Sequence, residues 1–277
     1  MNILYCGDAG IVDGLLISIL SLIKNSDEKL AIYIMTMELT RGEKTYHAVS
    51  DGTVDFLDGI VRKADAESFV KKIDITEVFA ENAPHANMDT RFTPFCMLRL
   101  FADMIVDLPD RLLYLDVDVV VRQNISDFYY QELGEHEIAG VLDHYGKWFF
   151  RRNPFKFDYL NSGVLILNMK KIKSTGLFER CRNMCRDKKM FMPDQSSLNK
   201  LSENKKILPR KYNEQRKLCR DTVIQHFTTS FRFFPWLHTL TVKPWQVDRV
   251  HDKLKLHEYD DILEKYEALM PELSKCA

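Results

Sequence analysis

No two cysteines of this chain stand in a C-x-x-C pair; the six present, at 6, 96, 181, 185, 219 and 276, are scattered. That spacing argues against a zinc ribbon and suits free thiols in a reducing compartment. Cys181 and Cys185, four apart on an expected helix, read as a partly buried thiol pair. Long hydrophobic runs are also missing. The longest, 15–23, is interrupted by serines and is too short to span a bilayer. The first ten residues hold Asp8 and no Lys or Arg, so the basic start of a secretory signal is absent. Charge of one sign is lacking too. A formal net charge of -1 gives no electrostatic reason to expect nucleic acid. Basic clusters at 170–173 and 204–206 are diluted by acidic neighbours and read as solvated faces. No internal repeat or low-complexity linker divides the 277 residues. The expectation is a cytoplasmic protein with no transmembrane segment, peripheral contact with the inner face of a membrane being left open.

The patterning predicts an α/β protein. Asn2–Cys6 reads as a buried strand and 7–10 as a turn. Val12, Leu15, Leu16, Ile19 and Ile23 recur at helical spacing, and 30–35 is again strand-like. Strand, helix, strand favours a parallel sheet. Short helices are expected around 44–51 and 64–72. The stripe Phe95, Leu98, Phe101, Ala102 and Ile105 predicts a helix beside which Arg99 lies; its guanidinium points into a cleft or forms a surface salt bridge. Further strands are expected at 112–115, 119–121, 138–142, 164–168 and 223–227. Helices are expected over 172–187, from Pro193, and around Tyr259 to Leu269.

The chemistry gathers on Asp116-Val117-Asp118, the sole Asp-x-Asp in the chain. Two carboxylates at the end of a buried strand cost a great deal unless their charge is compensated. Ligands of α/β proteins collect beyond the carboxyl ends of strands. Such a pair suits a hard divalent cation and, through it, a diphosphate. Asp at a strand end also simply starts turns. His226 closes another strand, and an imidazole beside two carboxylates suits manganese better than magnesium. Lys243 would add a cation near the phosphates. The turn Gly7-Asp8-Ala9-Gly10 is not G-x-G-x-x-G. Asp8 contacts a nucleotide base or ribose there, or merely caps the helix.

Five segments occur in the order found in glycosyltransferase family 8: 112–118, 159–168, Pro193-Asp194-Gln195, His226-Phe227 and Lys243-Pro244-Trp245. The chain resembles that family, which includes the bacterial lipo-oligosaccharide α-galactosyl- and glucosyltransferases and the glycogenins. The resemblance runs from the first strand to about Trp245. It implies a GT-A type nucleotide-diphospho-sugar transferase fold, with a mixed, mostly parallel sheet flanked by helices. Residues 1–250 would form the catalytic domain and 251–277 a C-terminal helical extension. It implies a retaining transferase that moves glucose or galactose from a UDP-sugar to an acceptor hydroxyl on a glycan or glycolipid. The cofactor would be Mn2+, with Mg2+ the alternative.

The same resemblance assigns roles. Asp116, Asp118 and His226 would bind the metal. Cys6, Gly7, Asp8, Val117 and Lys243 would hold nucleotide and diphosphate, with Asp8 on the uracil. Arg99 would bridge donor sugar and phosphate. Asp116, Asn161, Ser162, Gly163, Asp194 and Gln195 would surround the donor sugar, Gln195 under the anomeric carbon. Catalysis would rest on Gln195, Asp194, Arg99 and Asn161. Two departures stand out. Gly10 occupies the place of a usual Asn, and seventeen positions separate His226 from Lys243 where the family's spacing is short. The inserted Phe231, Phe233, Phe234, Trp236 and Leu237 would form a lid or acceptor surface, or pack away. Two rivals remain: a haloacid-dehalogenase-type phosphatase with Asp116 as nucleophile, and a non-catalytic UDP-sugar-binding protein.

Overall fold

The computed structural model describes residues 1–89, 93–146, 158–232 and 238–276. Strand β1 (Asn2–Cys6) leads through a short 3-10 turn into helix α1 (Val12–Asn25), which carries Asp13 in its first turn and Lys24 in its last. Both charges oppose the helix dipole favourably. Strand β2 (Ala31–Thr36) follows, then the hairpin of β3 (Leu39–Arg41) and β4 (Lys44–Tyr46). Helix α2 (Asp51–Ala64) starts where Ser50 accepts a hydrogen bond from the Thr53 amide at 3.0 Å. Strand β5 (Phe69–Asp74) completes this half.

Two expectations fail here. Residues 44–51 and 64–72 are not short helices. Tyr46 and its neighbours pair within the hairpin, and the Ser50 cap delays the helix to Asp51. Asp65 stops that helix by accepting from Ser68 Oγ at 2.6 Å, and 69–74 then pairs with all of β2. Tertiary pairing overrode weak local propensity. Lys71 and Lys72 sit on this edge strand, where charge discourages pairing with another chain.

Strands β6 (Arg111–Leu115), β7 (Val119–Val121), β8 (Ile138–Leu142), β9 (Leu160–Asn168) and β10 (Lys205–Ile207) build the second half. Seven strands form one sheet in the order β10-β8-β9-β6-β1-β2-β5. All neighbours are parallel except that β9 runs against both β6 and β8. Strand β7 lies apart and pairs antiparallel with β11 (Ile224–His226). A hairpin of β12 (Ser230–Arg232) and β13 (His238–Leu240) follows. Phe233, Phe234, Trp236 and Leu237 lie outside the described residues.

Alternation along the strands feeds two cores. Ile3, Tyr5, Leu113 and Leu115 face α1, α2 and the C-terminal helix Asp260–Cys276. Leu4, Leu112 and Tyr114 face the 94–104 and 177–187 segments. Each fully buried large apolar side chain contributes roughly 1.5–3 kcal/mol. Pro94–Met104 is a 3-10 helix, consistent with Phe95, Leu98 and Phe101 recurring every three residues. The expected helix over 172–187 is two, Met169–Thr175 and Leu177–Asp187, because Gly176 turns the chain at φ 65°. No described helix is long and apolar enough to cross a membrane.

The reversed strand decides where chemistry can gather. Leu115 of β6 pairs with Val164 of β9, so the amino end of β9 meets the carboxyl ends of β1 and β6 at one edge.

Candidate active site

Asp116 and Asp118 leave the end of β6, and the Asp116 amide donates to Gly163 O at 2.7 Å. His226 arrives on β11, whose ladder with β7 places it opposite Val119. Ligand atoms of Asp116, Asp118 and His226 all lie within 4.8 Å of one another. His226 Nε2 stands 3.1 Å from Asp118 Oδ1 and 3.8 Å from Asp116 Oδ2. Asp118 is 8% exposed, and Lys243 Nζ donates to its Oδ2. Burial raises the pKa of Asp118, but His226 and Lys243 outweigh it and hold the carboxyl well below its ordinary range.

The residues fit a divalent cation. A Cβ on Gly163 would lie 2.3 Å from His226 Cε1 and 2.5 Å from Asp116 Oδ2, so only glycine lets strand β9 pass beneath this triad. The imidazole is also oriented. The Gly163 amide donates to Asn161 Oδ1 at 3.0 Å, which fixes that atom as oxygen. Asn213 Nδ2 then donates to Asn161 Oδ1 at 3.0 Å, and Asn213 Oδ1 accepts from His226 Nδ1 at 3.2 Å. With Nδ1 donating to Asn213, Nε2 is the ring nitrogen turned toward the carboxylates, and its lone pair would be the one offered to a cation bound there.

Arg99 joins the triad of Asp116, Asp118 and His226 to the residues beyond it. It is 3% exposed, and its ionised state is strengthened: burial opposes the charge, but Tyr114, Asp116 and Asp194 more than offset that. Its guanidinium lies 3.8 Å from the Tyr114 ring centroid. Nη2 donates to Asp116 Oδ1 at 3.1 Å and stands 3.5 Å from Asp194 Oδ2, while Nη1 donates to Ser162 O. This buried arrangement excludes the surface salt bridge. Tyr114 Oη adds a 2.6 Å hydrogen bond to Asp116 Oδ1.

Gln195 and Asp194 open the helix Pro193–Leu201 and are buried. Gln195 Oε1 accepts from Ser162 N at 2.9 Å and Ser162 Oγ at 3.2 Å, and Asp194 Oδ2 accepts from Ser162 Oγ at 3.1 Å. Asp143 Oδ2 accepts from Asn161 Nδ2 at 3.0 Å and from Gln195 Nε2 at 3.2 Å. Asp8 caps its turn by accepting from the Gly10 amide at 2.9 Å.

A cavity of about 250 Å³ opens at this edge. Cys6, Gly7, Asp8, Arg99, Asp116, Val117, Asp118 and Lys243 line it, together with Tyr114 and Trp245. Asn161, Ser162, Asp194 and Gln195 form the hydrogen-bonded group next to it through Arg99, and Gly163 lies under the triad. The residues expected to hold metal, nucleotide and donor sugar are therefore drawn into one constellation. Sequence reasoning missed Asp143 and Asn213. Asp143 follows a buried strand just as Asp116 does, and the same strand-end logic would have found it. Asn213 carries no local signal.

Comparison with known proteins agrees with this geometry. The description Glycosyl transferase family 8 matches residues 2–248. An Escherichia coli lipopolysaccharide 1,2-glucosyltransferase is 26% identical over 273 residues, covering 93% of this chain and 76% of its own. The glycosyltransferase GlyA of Streptococcus pneumoniae is 32% identical over 142 residues, covering 50% of this chain; the chain spans only 19% of GlyA's length. Among solved structures, the galactosyltransferase LgtC, in complex with donor and acceptor sugar analogs, superposes with a TM-score of 0.68. Identity there is 18%, and coverage is 96% of both chains. That likeness shows a shared GT-A type fold. With the family match running from the first strand past Trp245, the chain belongs to glycosyltransferase family 8.

Proposed function

We propose that this protein transfers a hexose, glucose or galactose, from a UDP-hexose to an acceptor hydroxyl on a glycan or glycolipid, with retention at the anomeric carbon. The lipopolysaccharide transferases among its relatives support such an acceptor and a cytoplasmic setting, with membrane contact at most peripheral. The observation that carries the reading is the convergence of Asp116, Asp118 and His226 with Lys243 and Arg99 on one cavity. Asp116, Asp118 and His226 would hold Mn2+, or Mg2+ less well, and the bound ion would supply Lewis-acid neutralisation of the diphosphate. In this reading 1–250 is the catalytic unit and 251–277 an extension.

The chain's own residues do the rest. Lys243 sets fixed positive charge where the departing diphosphate gains negative charge. Asp8, with the backbone of Cys6, Gly7 and Val117, receives the uridine. Arg99 holds Asp116 and Asp194 in register, so diphosphate and sugar are positioned by one rigid cation. Asp194 and Asn161 fix the sugar ring through its hydroxyls, with Ser162 and Gly163 as its floor. The sugar passes through an oxocarbenium-like state. The Gln195 amide oxygen already accepts from the Ser162 amide and shares the single Ser162 hydroxyl proton with Asp194, which supports same-face attack over a covalent adduct on Gln195. A dehalogenase-type phosphatase would leave His226 and the Asn161-Ser162-Gly163 strand without a role.

The test is metal-dependent UDP release from UDP-glucose and UDP-galactose. Wild type should release UDP with Mn2+ and lose the activity in excess chelator. Asp118→Asn should nearly abolish turnover while circular dichroism stays native. Activity that survives the substitution or the chelator refutes the metal role. Calorimetry with Mn2+ should show UDP binding more tightly than GDP; equal affinity would refute the uridine assignment. Turnover of simple phosphate esters instead would favour the phosphatase.

A further inference from the structure

A second cavity, of about 510 Å³, is lined by His226 of the triad and by Phe227, whose carbonyl accepts from Lys243 Nζ at 3.2 Å. Its apolar lining includes Leu218, Leu240 and Leu256. Four exposed cations stand around it: Arg216, Lys217, Lys253 and Lys255. No carboxylate lines it. Among the described residues, none of the four cationic side chains has an ion-pair partner, although ion pairs are common elsewhere on this surface. A chain of net charge -1 has thus gathered unpaired positive charge from two distant segments around one hollow.

A second observation concerns Lys255. It follows the helix Val247–Leu254 at φ 53°, the one non-glycine at positive φ among the described residues. Glycine is the residue expected at such a helix end, and a lysine there is strained. The strain is retained at a position that supplies a cation to this cavity.

We propose that this cavity is the acceptor subsite and takes a saccharide bearing a phosphate or carboxylate group. The claim rests on the function proposed above, since it places the acceptor beside the metal ligand His226. Uncompensated cations repel one another until an anion enters. A phosphorylated sugar satisfies both parts of the lining, its anion meeting the cations and its ring faces the apolar side chains. A neutral glycan would leave the four charges unmatched.

The experiment uses the full chain loaded with Mn2+ and UDP, so that the donor site is filled. Calorimetry then compares glucose 6-phosphate, glucose and inorganic phosphate. Glucose 6-phosphate should bind about tenfold more tightly than either control, as expected for at least one new hydrogen bond to a charged group. In the double variant Lys217→Glu/Lys253→Glu that preference should vanish, with an unchanged melting temperature because both residues are exposed. Lys255→Gly should weaken glucose 6-phosphate severalfold and raise the melting temperature, since it removes a charge and a strained backbone together. Equal binding of glucose and glucose 6-phosphate overturns the proposal. So does a preference that survives charge reversal, or phosphate binding as tightly as the phosphorylated sugar. Failure of the loading step is a separate result: it removes the proposed function, and this inference falls with it.

Discussion

Replacing Gly163 by alanine probes the proposed metal site without changing any of its three candidate ligands. The new Cβ would sit 2.3 Å from His226 Cε1 and 2.5 Å from Asp116 Oδ2. The carbon contact is about 1 Å short of ordinary van der Waals separation. Neither neighbour yields easily. His226 is held by the β7 ladder and by Asn213, and Asp116 by Arg99 and Tyr114. The triad must therefore open by a large part of that distance. Overpacking of this kind costs about 1–3 kcal/mol of stability. For a chain of this size that lowers the melting temperature by a few degrees, so the variant stays folded at 25 °C. A misplacement near 1 Å costs on the order of 100-fold in rate. Mn2+-dependent UDP release should fall by about that factor, or roughly 2.7 kcal/mol in barrier. Mn2+ affinity, read by the loss of its free electron paramagnetic resonance signal, should weaken as well. A variant with wild-type Mn2+ affinity and turnover would refute the close passage of β9 beneath the triad.

Other substitutions report on the supports of the site. Arg99→Lys replaces a planar fork that binds Ser162, Asp116 and Asp194 at once with a single ammonium; it should destabilise the fold by about 3 kcal/mol, seen in urea unfolding, and abolish UDP release. Asn213→Leu keeps the branched outline of the side chain but removes the acceptor on His226 Nδ1; Mn2+ affinity should drop roughly 10- to 100-fold. Nitrogen-15 spectra of the imidazole should show the Nδ1–H tautomer in wild type and a mixture in that variant. Thiol chemistry gives a check independent of activity. Burial pushes the Cys6 and Cys185 thiols up to about 12, so at pH 8 only on the order of 10⁻⁴ of each is thiolate. Iodoacetamide at that pH should label the exposed Cys219 well before Cys6 and spare the buried Cys185, and early loss of the Cys185 peptide in mass spectrometry would contradict its place in the core.

Strands β1, β2, β6, β7, β8, β9 and β11 were readable because they are short, apolar and bounded by turns. Asp116 and Asp118 stood out because two charges end such a run. Arg99 could be placed near a cleft, yet its depth could not be read, since the ring of Tyr114 that supports it is fifteen positions away. The mixed, polar stretches 44–51 and 64–72 suggest helix, but residues 44–46 close a hairpin and 69–74 form a strand; pairing with a neighbour, not local preference, decides them. Asn213 escaped for a related reason. Its two side-chain bonds reach residues 52 and 13 positions away, and nothing in the local pattern distinguishes it from a turn asparagine. The meaning of Gly163 was hidden in the same way, because it depends on what β6 and β11 bring above it.

The reversal of β9 separates two kinds of change open to this protein. Residues 161–163 lead directly into the ladder that β9 makes on both sides, and Gly163 O holds the Asp116 amide, so an alteration there disturbs the strand and the triad together. The second cavity is walled mainly by short segments outside the main sheet, at 215–218, 240–242 and 253–256. Those walls can be rebuilt without moving a strand of the main sheet, so the proposed acceptor preference could diverge while the geometry around the Asp116, Asp118 and His226 triad is kept.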